Sequence, residues 1–224
     1  MADPRRIRQV KRKYRFNAPW YDAMVSLPTL RVRRKAVHRL ALKPGDVVLD
    51  FGCGTGLSFK YLERAVGPKG RIIGVELSPD MLAKARGKVE RLGWDNIALI
   101  EGNAEEVDLP GPVDRVLCFY THDIMNSPPA VERALGALRP GGLFVAAGIK
   151  RAKGLRKIPI NLYTLSYSLP FVTIKAAATL LWGTAVPWAY LESVMGHLDI
   201  EEYIGGSAYV ACGVKGADQD TAGT

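Results

Sequence analysis

Val47 to Gly56 reads VVLDFGCGTG, and this stretch decides the fold. A run of β-branched and apolar residues passes through Asp50 into a loop where Gly52, Gly54 and Gly56 alternate with Cys53 and Thr55. Glycine has no Cβ, so the backbone turns sharply there and a ligand can lie against the main chain. A strand entering such a loop predicts a ligand-binding turn at the carboxyl end of a sheet strand.

The spacing selects the ligand. A dinucleotide fingerprint reads G-x-G-x-x-G, whereas this loop reads D-x-G-x-G-x-G from Asp50. A carboxylate at the mouth of the strand repels a pyrophosphate but suits a cation such as a sulfonium carrying an ammonium group. The electrostatics therefore favour S-adenosylmethionine over NAD.

Outward from this loop, strand and helix alternate, which predicts a parallel sheet with crossover helices. Strands are expected at Val47 to Phe51, Arg71 to Glu76, Ile97 to Glu101, Val113 to Tyr120 and Gly142 to Gly148, with helices at Leu57 to Val66, Pro79 to Leu92 and Pro128 to Leu138. Ser78 is a candidate N-cap with Pro79 at the first helical position. Leu198 to Ile204 and Ser207 to Val214 alternate apolar and polar residues around Gly205-Gly206, a pair that reads as a hairpin turn.

With three motifs in order at strand ends, namely Asp50 to Gly56, Glu76 closing GRIIGVE, and Gly102-Asn103-Ala104, the chain resembles the class I (Rossmann-like) S-adenosylmethionine-dependent methyltransferases from Pro44 to Lys150. The resemblance implies an α/β fold: a doubly wound, mostly parallel seven-stranded sheet with a C-terminal antiparallel hairpin, a helical N-terminal extension and a helical cap. The division implied is a basic extension over 1–43, a methyltransferase domain over 44–215 with a cap insertion at 150–188, and a disordered tail over 216–224.

The cofactor implied is S-adenosylmethionine. Its expected contacts are Asp50, Gly52, Cys53, Gly54, Gly56, Glu76, Leu77, Asn103, Ala104 and Tyr120. Asp50 would meet the ammonium group, with helix capping as its alternative role. Glu76 would accept from both ribose hydroxyls. Asn103 stands where the family usually has aspartate, and its carbonyl oxygen would accept from the adenine amino group while Ala104 offers a backbone N–H.

The fourth strand ends FYTHDIMN, and in this family the corresponding loop faces the methyl group. Tyr120, His122 and Asp123 are accordingly catalytic candidates. Methyl transfer is an in-line displacement in which proximity and orientation contribute most. His122 has an ordinary pKa suited to removing a proton near neutrality, and hydrogen-bonding a loop carbonyl is its alternative role. By the same resemblance Tyr21, and Tyr14 with it, would close over the methyl donor; packing a helix onto the core is the competing role.

Composition bounds the rest. The chain has 224 residues, 48% of them hydrophobic, enough for one domain with a substantial core. Cys53, Cys118 and Cys212 are far apart, which fits a reduced, cytoplasmic protein, and with His38, His122 and His197 scattered no metal site is expected.

Charge is uneven: residues 1–43 hold 13 Lys and Arg against Asp3 and Asp22, a balance of +11 in a chain of net charge +9, so the remainder carries −2. Ile7, Val10 and Tyr14 make one apolar stripe among seven Lys and Arg between Arg5 and Arg15. Such a helix suits an anionic membrane surface or nucleic acid, or stands as a solvated terminal helix.

From Ile158 to Leu191 the sole charge is Lys175. Pro159, Pro170 and Pro187 argue against a membrane span and for a helical cap over an apolar groove, or for helices that simply cover the sheet. Together these features point to a hydrophobic acceptor met at an anionic surface, where each basic residue contributes about 1 kcal/mol.

The chain looks most similar to small bacterial phospholipid N-methyltransferases, on Tyr21-Asp22, Arg31 to Lys35 and Gly54 to Ser58. This implies methylation of an amino head group such as that of phosphatidylethanolamine. Quinone C-methyltransferases share much of the plan, and an O- or N-methyltransferase of a specialised metabolite is also compatible. Nucleic acid ranks lower, because the position after the fourth strand reads T-H-D-I rather than N-P-P-Y or D-P-P-Y. A non-catalytic binding module ranks lower too, given the intact Asp50, Glu76 and glycines.

Overall fold

A computed structural model describes residues 22, 25–152 and 186–217, and in it the alternating pattern becomes a single sheet. The strands are β1 (Val47–Phe51), β2 (Arg71–Glu76), β3 (Ile97–Glu101), β4 (Val113–Phe119), β5 (Leu138–Ile149), β6 (Asp199–Tyr203) and β7 (Ala208–Val214). Their order is β3-β2-β1-β4-β5-β7-β6. The first five pair in parallel and β7 runs antiparallel between β5 and β6. The winding reverses between β1 and β4, and ligands of open α/β sheets bind outside the carboxyl ends of strands at that switch point.

Both faces are covered. A helix through residues 25–39, called α1 here, shares one face with α2 (Phe59–Val66) and α3 (Pro79–Leu92). The short α4 (His122–Met125), α5 (Pro128–Ala137) and α6 (Ala189–Met195) lie on the other. Strand residues divide between the two cores with period two, Val48 toward α1 to α3 and Leu49 and Phe51 toward α4 to α6, as the alternation of Cβ atoms requires. Asp50 stands on the α1 side, where an apolar residue would continue the row.

Two arginines pin α1 to the sheet. Arg39 pairs with Asp199 and with Glu201 at 2.7 Å on β6. The buried Arg115 of β4 donates from Nε to the Leu40 carbonyl at 2.8 Å, satisfying a helix C-terminal acceptor.

The expected elements are present with four differences. β5 begins at Leu138, earlier than Gly142, and a register shift between Val113 and Arg115 accommodates the extra length. The connection of β6 to β7 is four residues and not two, because Tyr203 pairs with Ala208, and Ile204 and Gly205 take positive φ in a 3₁₀ turn. Two helices, α4 and α6, carry too little periodic sequence to be expected. Ser78 caps α3 from its side chain to Met81 N–H, as expected. The basic helix expected over residues 5–15, Tyr14 and Tyr21, residues 153–185 of the cap expected over 150–188, and residues 218–224 of the tail lie outside the described residues.

Gly74, at the centre of β2, tests the packing. A Cβ there would sit 2.9 Å from Phe59 Cζ and 3.0 Å from both Cys53 Sγ and a Leu99 methyl. Gly74→Ala should therefore destabilise the fold by about 1–3 kcal/mol through overpacking, read as a lower urea midpoint with unchanged m-value.

Candidate functional site

The glycine loop is hung from the end of β2. Gly52 and Cys53 N–H both donate to the Val75 carbonyl at 2.9 Å, and Gly54 N–H donates to Glu76 Oε2 at 3.0 Å. Glu76 Oε1 accepts from Ser78 N–H at 2.8 Å, so one carboxylate joins the loop to the N-terminus of α3. Burial pushes its pKa up, while the backbone donors of Ser78, Gly54 and Leu77 hold it down. Three backbone donors leave the two oxygens acceptor capacity for a ligand hydroxyl.

The glycines of this loop are required for different reasons. Gly52 has φ +84° and a Cβ there would lie 2.4 Å from Thr121 Cγ2, so the turn after β4 can press on the loop. Gly54, with φ +57°, has no atom closer than Met81 Cε at 3.7 Å, leaving its surface open to a ligand. Cys53 contributes its backbone only, since its thiol packs into the α1-side core.

Asp50 is 1% exposed, and its Oδ2 is buried with no hydrogen-bond partner among the described residues. Loss of hydration pushes its pKa up to about 7; Arg33 opposes this and Glu76 adds to it. A buried carboxylate without a partner is costly unless a cation or donor arrives. Its geometry rejects the helix-capping alternative, because the α2 cap residue is Ser58.

Arg33, 6% exposed, stands out in the sequence only as a member of the basic run Arg31 to Lys35. Its guanidinium lies 4.2 Å over the Phe119 ring and donates to Ser58 Oγ at 2.9 Å and Thr29 Oγ1 at 3.1 Å. A signal existed: Arg33 falls on the apolar stripe of Val25, Val32, Ala36 and Leu40, where a charge demands a reason.

The Asn103 side chain is oriented by its own turn. Its Oδ1 accepts from Glu105 N–H at 3.2 Å, closing an Asx turn, and its Nδ2 is buried without a partner among the described residues. The side chain thus offers a buried donor beside a carbonyl oxygen that keeps a second lone pair. Ala104 follows on the same turn, which Ser127 and Arg133 of the α5 region hold through Glu105 at 2.8 Å and 3.1 Å. Leu77, half-buried, lies between Glu76 and the α3 cap.

Beyond β4 the candidates separate. Tyr120 takes φ +62°, and its N–H donates to the Ala147 carbonyl at 2.7 Å. A non-glycine residue held left-handed is strained, a condition that clusters at functional rims. His122 opens α4 and is half-buried, whereas Asp123 is exposed. A Cβ on Gly148 would lie 3.8 Å from His122 Cε1 and 3.7 Å from the Tyr209 hydroxyl, so these two side chains converge on the end of β5. Tyr209, paired with Gly148 across β5 and β7 and stacked on Trp188 at 4.8 Å, read in sequence only as a strand residue. Among the described residues no His, Cys, Asp and Glu cluster could hold a metal, and no helix is long and apolar enough to cross a membrane.

Residues 48–142 match the family model described as a methyltransferase domain. The chain is 34% identical over 106 residues to the arsenite methyltransferase of Halobacterium salinarum, covering 46% of this chain and 27% of that protein. It is 34% identical over 131 residues to the demethylmenaquinone methyltransferase of Bacillus cytotoxicus, covering 56% and 55%. The chain thus aligns with about half or less of the length of these curated relatives. Among solved structures, a SAM-dependent methyltransferase of Aquifex aeolicus superposes with TM-score 0.58 at 19% identity, covering 95% of this chain and 98% of that one. A precorrin-6y C5,15-methyltransferase of Geobacter metallireducens gives 0.56 at 20%, covering 83% and 88%. These likenesses establish the fold.

The buried carboxylate fixes a pH dependence. The pKa of Asp50 rises from 3.8 to about 7 on folding, so the folded chain binds this proton more tightly. The resulting stabilisation is complete below about pH 4 and is lost as pH rises through about 7. Asp50→Asn should remove that decline from the ligand-free protein; urea unfolding at pH 4, 5.5 and 7 reads it as a wild-type minus variant difference that falls with pH. A constant difference would show Asp50 ionised throughout.

Proposed function

We propose that the protein transfers a methyl group from S-adenosylmethionine to a hydrophobic acceptor, in the first instance a reduced quinone ring; the match of residues 48–142 to a methyltransferase-domain model and the fold shared with a SAM-dependent methyltransferase support this reading. The observation that carries the cofactor reading is the buried Asp50 Oδ2, without a partner among the described residues, beside an open glycine surface. S-adenosylmethionine, when bound, supplies an electrophilic methyl group on a cationic sulfur.

The chain's own residues then divide the work. Asp50 receives the ammonium group, Glu76 accepts from the ribose hydroxyls while keeping the loop in register, and the Asn103 amide and Ala104 backbone N–H face the base. Positioning is most of the catalysis, since an in-line displacement requires the acceptor atom held on the methyl axis. His122 takes the acceptor proton as the new bond forms, and Tyr120 and Tyr209 line the same end of the sheet. Asp123, being exposed, is a weaker candidate.

The demethylmenaquinone methyltransferases among the relatives favour the quinone acceptor. The phospholipid head group favoured by the sequence has no counterpart among the relatives named above and stands second, supported by the basic N-terminal run. An arsenic acceptor fits poorly: all three cysteines are buried, and burial raises the pKa of Cys53 and of Cys118, whereas trivalent arsenic calls for accessible thiolates.

Labelled S-adenosylmethionine offered with a prenylated naphthoquinol, and separately with phosphatidylethanolamine vesicles, should label the quinol. Label in the lipid alone would reverse the order of the two readings. Glu76→Ala should weaken S-adenosylhomocysteine binding by about a hundredfold in calorimetry, as expected for losing charge-assisted hydrogen bonds; unchanged affinity would remove the cofactor from this cleft.

A further inference from the structure

Beyond Gly148 the sheet ends in a buried cation. Gly148 of β5, Tyr209 of β7 and Glu202 of β6 stand opposite one another in register, so the three share one row on the α4-to-α6 face. Lys150, two residues past Gly148, falls on the same face, and its N–H donates to the Ser207 carbonyl at 2.8 Å, carrying the ladder one step past the strand. Its ammonium pairs with Glu202 Oε1 at 2.6 Å and lies 5.8 Å from the centroid of Trp188, the ring stacked on Tyr209. The pair is lopsided: the side chain of Lys150 is 4% exposed and that of Glu202 is 52% exposed.

We propose that Lys150 is a specificity-determining residue of the acceptor site: its ammonium receives an ionised hydroxyl oxygen of the acceptor ring, and Glu202 is the counter-ion that leaves to admit it. The inference rests on the hydroxylated-ring acceptor proposed above and names the group that holds its oxygen.

The exposures decide which partner is exchangeable. Taking a charge out of water is costly, so a buried ammonium needs an anion beside it. Glu202, half in water, regains its hydration when it swings away, whereas Lys150 is enclosed. An anionic oxygen arriving at Lys150 therefore replaces one counter-ion by another and leaves no buried charge unpaired, the proton of the hydroxyl passing to water. Position favours a ring as the carrier of that oxygen. Gly148 has no side chain, and the atoms nearest the place of its Cβ are Tyr209 Cε1 at 3.4 Å, the Tyr209 hydroxyl at 3.7 Å and His122 Cε1 at 3.8 Å. Trp188 continues this aromatic wall from Tyr209 to Lys150. A flat ring laid along it has an imidazole and a phenol at one end and a cation at the other. An ammonium head group meets like charge there, in a buried place where screening is weak.

Binding to the full chain saturated with S-adenosylhomocysteine tests this, with a prenylated naphthoquinol under argon and its dimethyl ether, which has no ionisable oxygen, as probes. Lys150→Met, which keeps an apolar stem, should weaken quinol binding about tenfold and leave the ether unchanged. Glu202→Gln, which removes the competing charge, should tighten quinol binding about threefold. Shifts in opposite directions mark an exchanged counter-ion. If both variants weaken quinol binding, or both weaken S-adenosylhomocysteine binding, the pair only ties β5 to β6 and the inference is overturned. Equal losses of quinol and ether in Lys150→Met overturn it too, since Lys150 then supplies shape and not charge. Phosphatidylethanolamine vesicles are the third probe: weaker vesicle binding in Lys150→Met with the quinol unchanged would give the cation to a head-group phosphate and overturn the assignment to a ring. Wild-type protein that binds neither quinol nor ether shows instead that the acceptor reading itself has failed, and the inference falls with it.

Discussion

The carboxylate of Glu76 is the constraint on which the rest of the site depends. By taking Gly54 N–H on one oxygen and Ser78 N–H on the other, it locks the loop after β1 to the helix after β2. Two buried donors that would otherwise be orphaned at a loop and a helix N-terminus are satisfied by one charge, and such bonds are the strong kind. The same oxygens then face the cleft with acceptor capacity left over. Structural and ligand-binding roles are fused in one side chain, so its loss would be felt in both.

Around that anchor the electrostatics are unbalanced in a way that only a ligand corrects. Asp50 and Glu76 are two carboxylates at neighbouring strand ends; burial first, and then the charge of Glu76, raise the proton affinity of Asp50, while Arg33 from α1 opposes them. Arg33 is held by two hydroxyls and an aromatic face. It therefore sits as a fixed cation near the carboxylates and lowers the pKa of Asp50 against the effect of burial. A zwitterionic amino acid group, cation toward Asp50 and anion toward the guanidinium side, matches that arrangement of fixed charges.

Much of this was legible in the residues. Period-two apolar runs ending in Asp50, Glu76 and the turn after Phe119 placed the strand ends, and D-x-G-x-G-x-G identified the loop, because backbone conformation and charge at those positions are dictated locally. What stayed hidden depends on which side chains meet across distant elements. Asp22 and Lys88 look like ordinary surface charges until the fold brings both to Thr55. Tyr209 reads as one more strand residue until Gly148 opposite it leaves room for its ring. The orientation of Asn103 is set by Glu105 N–H, a contact that no spacing rule discloses.

The cofactor side and the acceptor side differ in how far residues alone can specify them. A cofactor common to a fold imposes the same charges and turns on every chain that binds it, so glycines and carboxylates carry its signature. In the function proposed above the acceptor is met at the far rim, where β4 and β5 end in strained Tyr120, in His122 and in Gly148 beneath Tyr209. There the demand is for a shape and one proton acceptor rather than for a fixed charge pattern, and many residue sets satisfy it. The histidine and tyrosine that converge there present no carboxylate of their own, an environment less suited to an ammonium head group than to a neutral hydroxylated ring, whose hydroxyl can be held by an imidazole on one side and a phenol on the other.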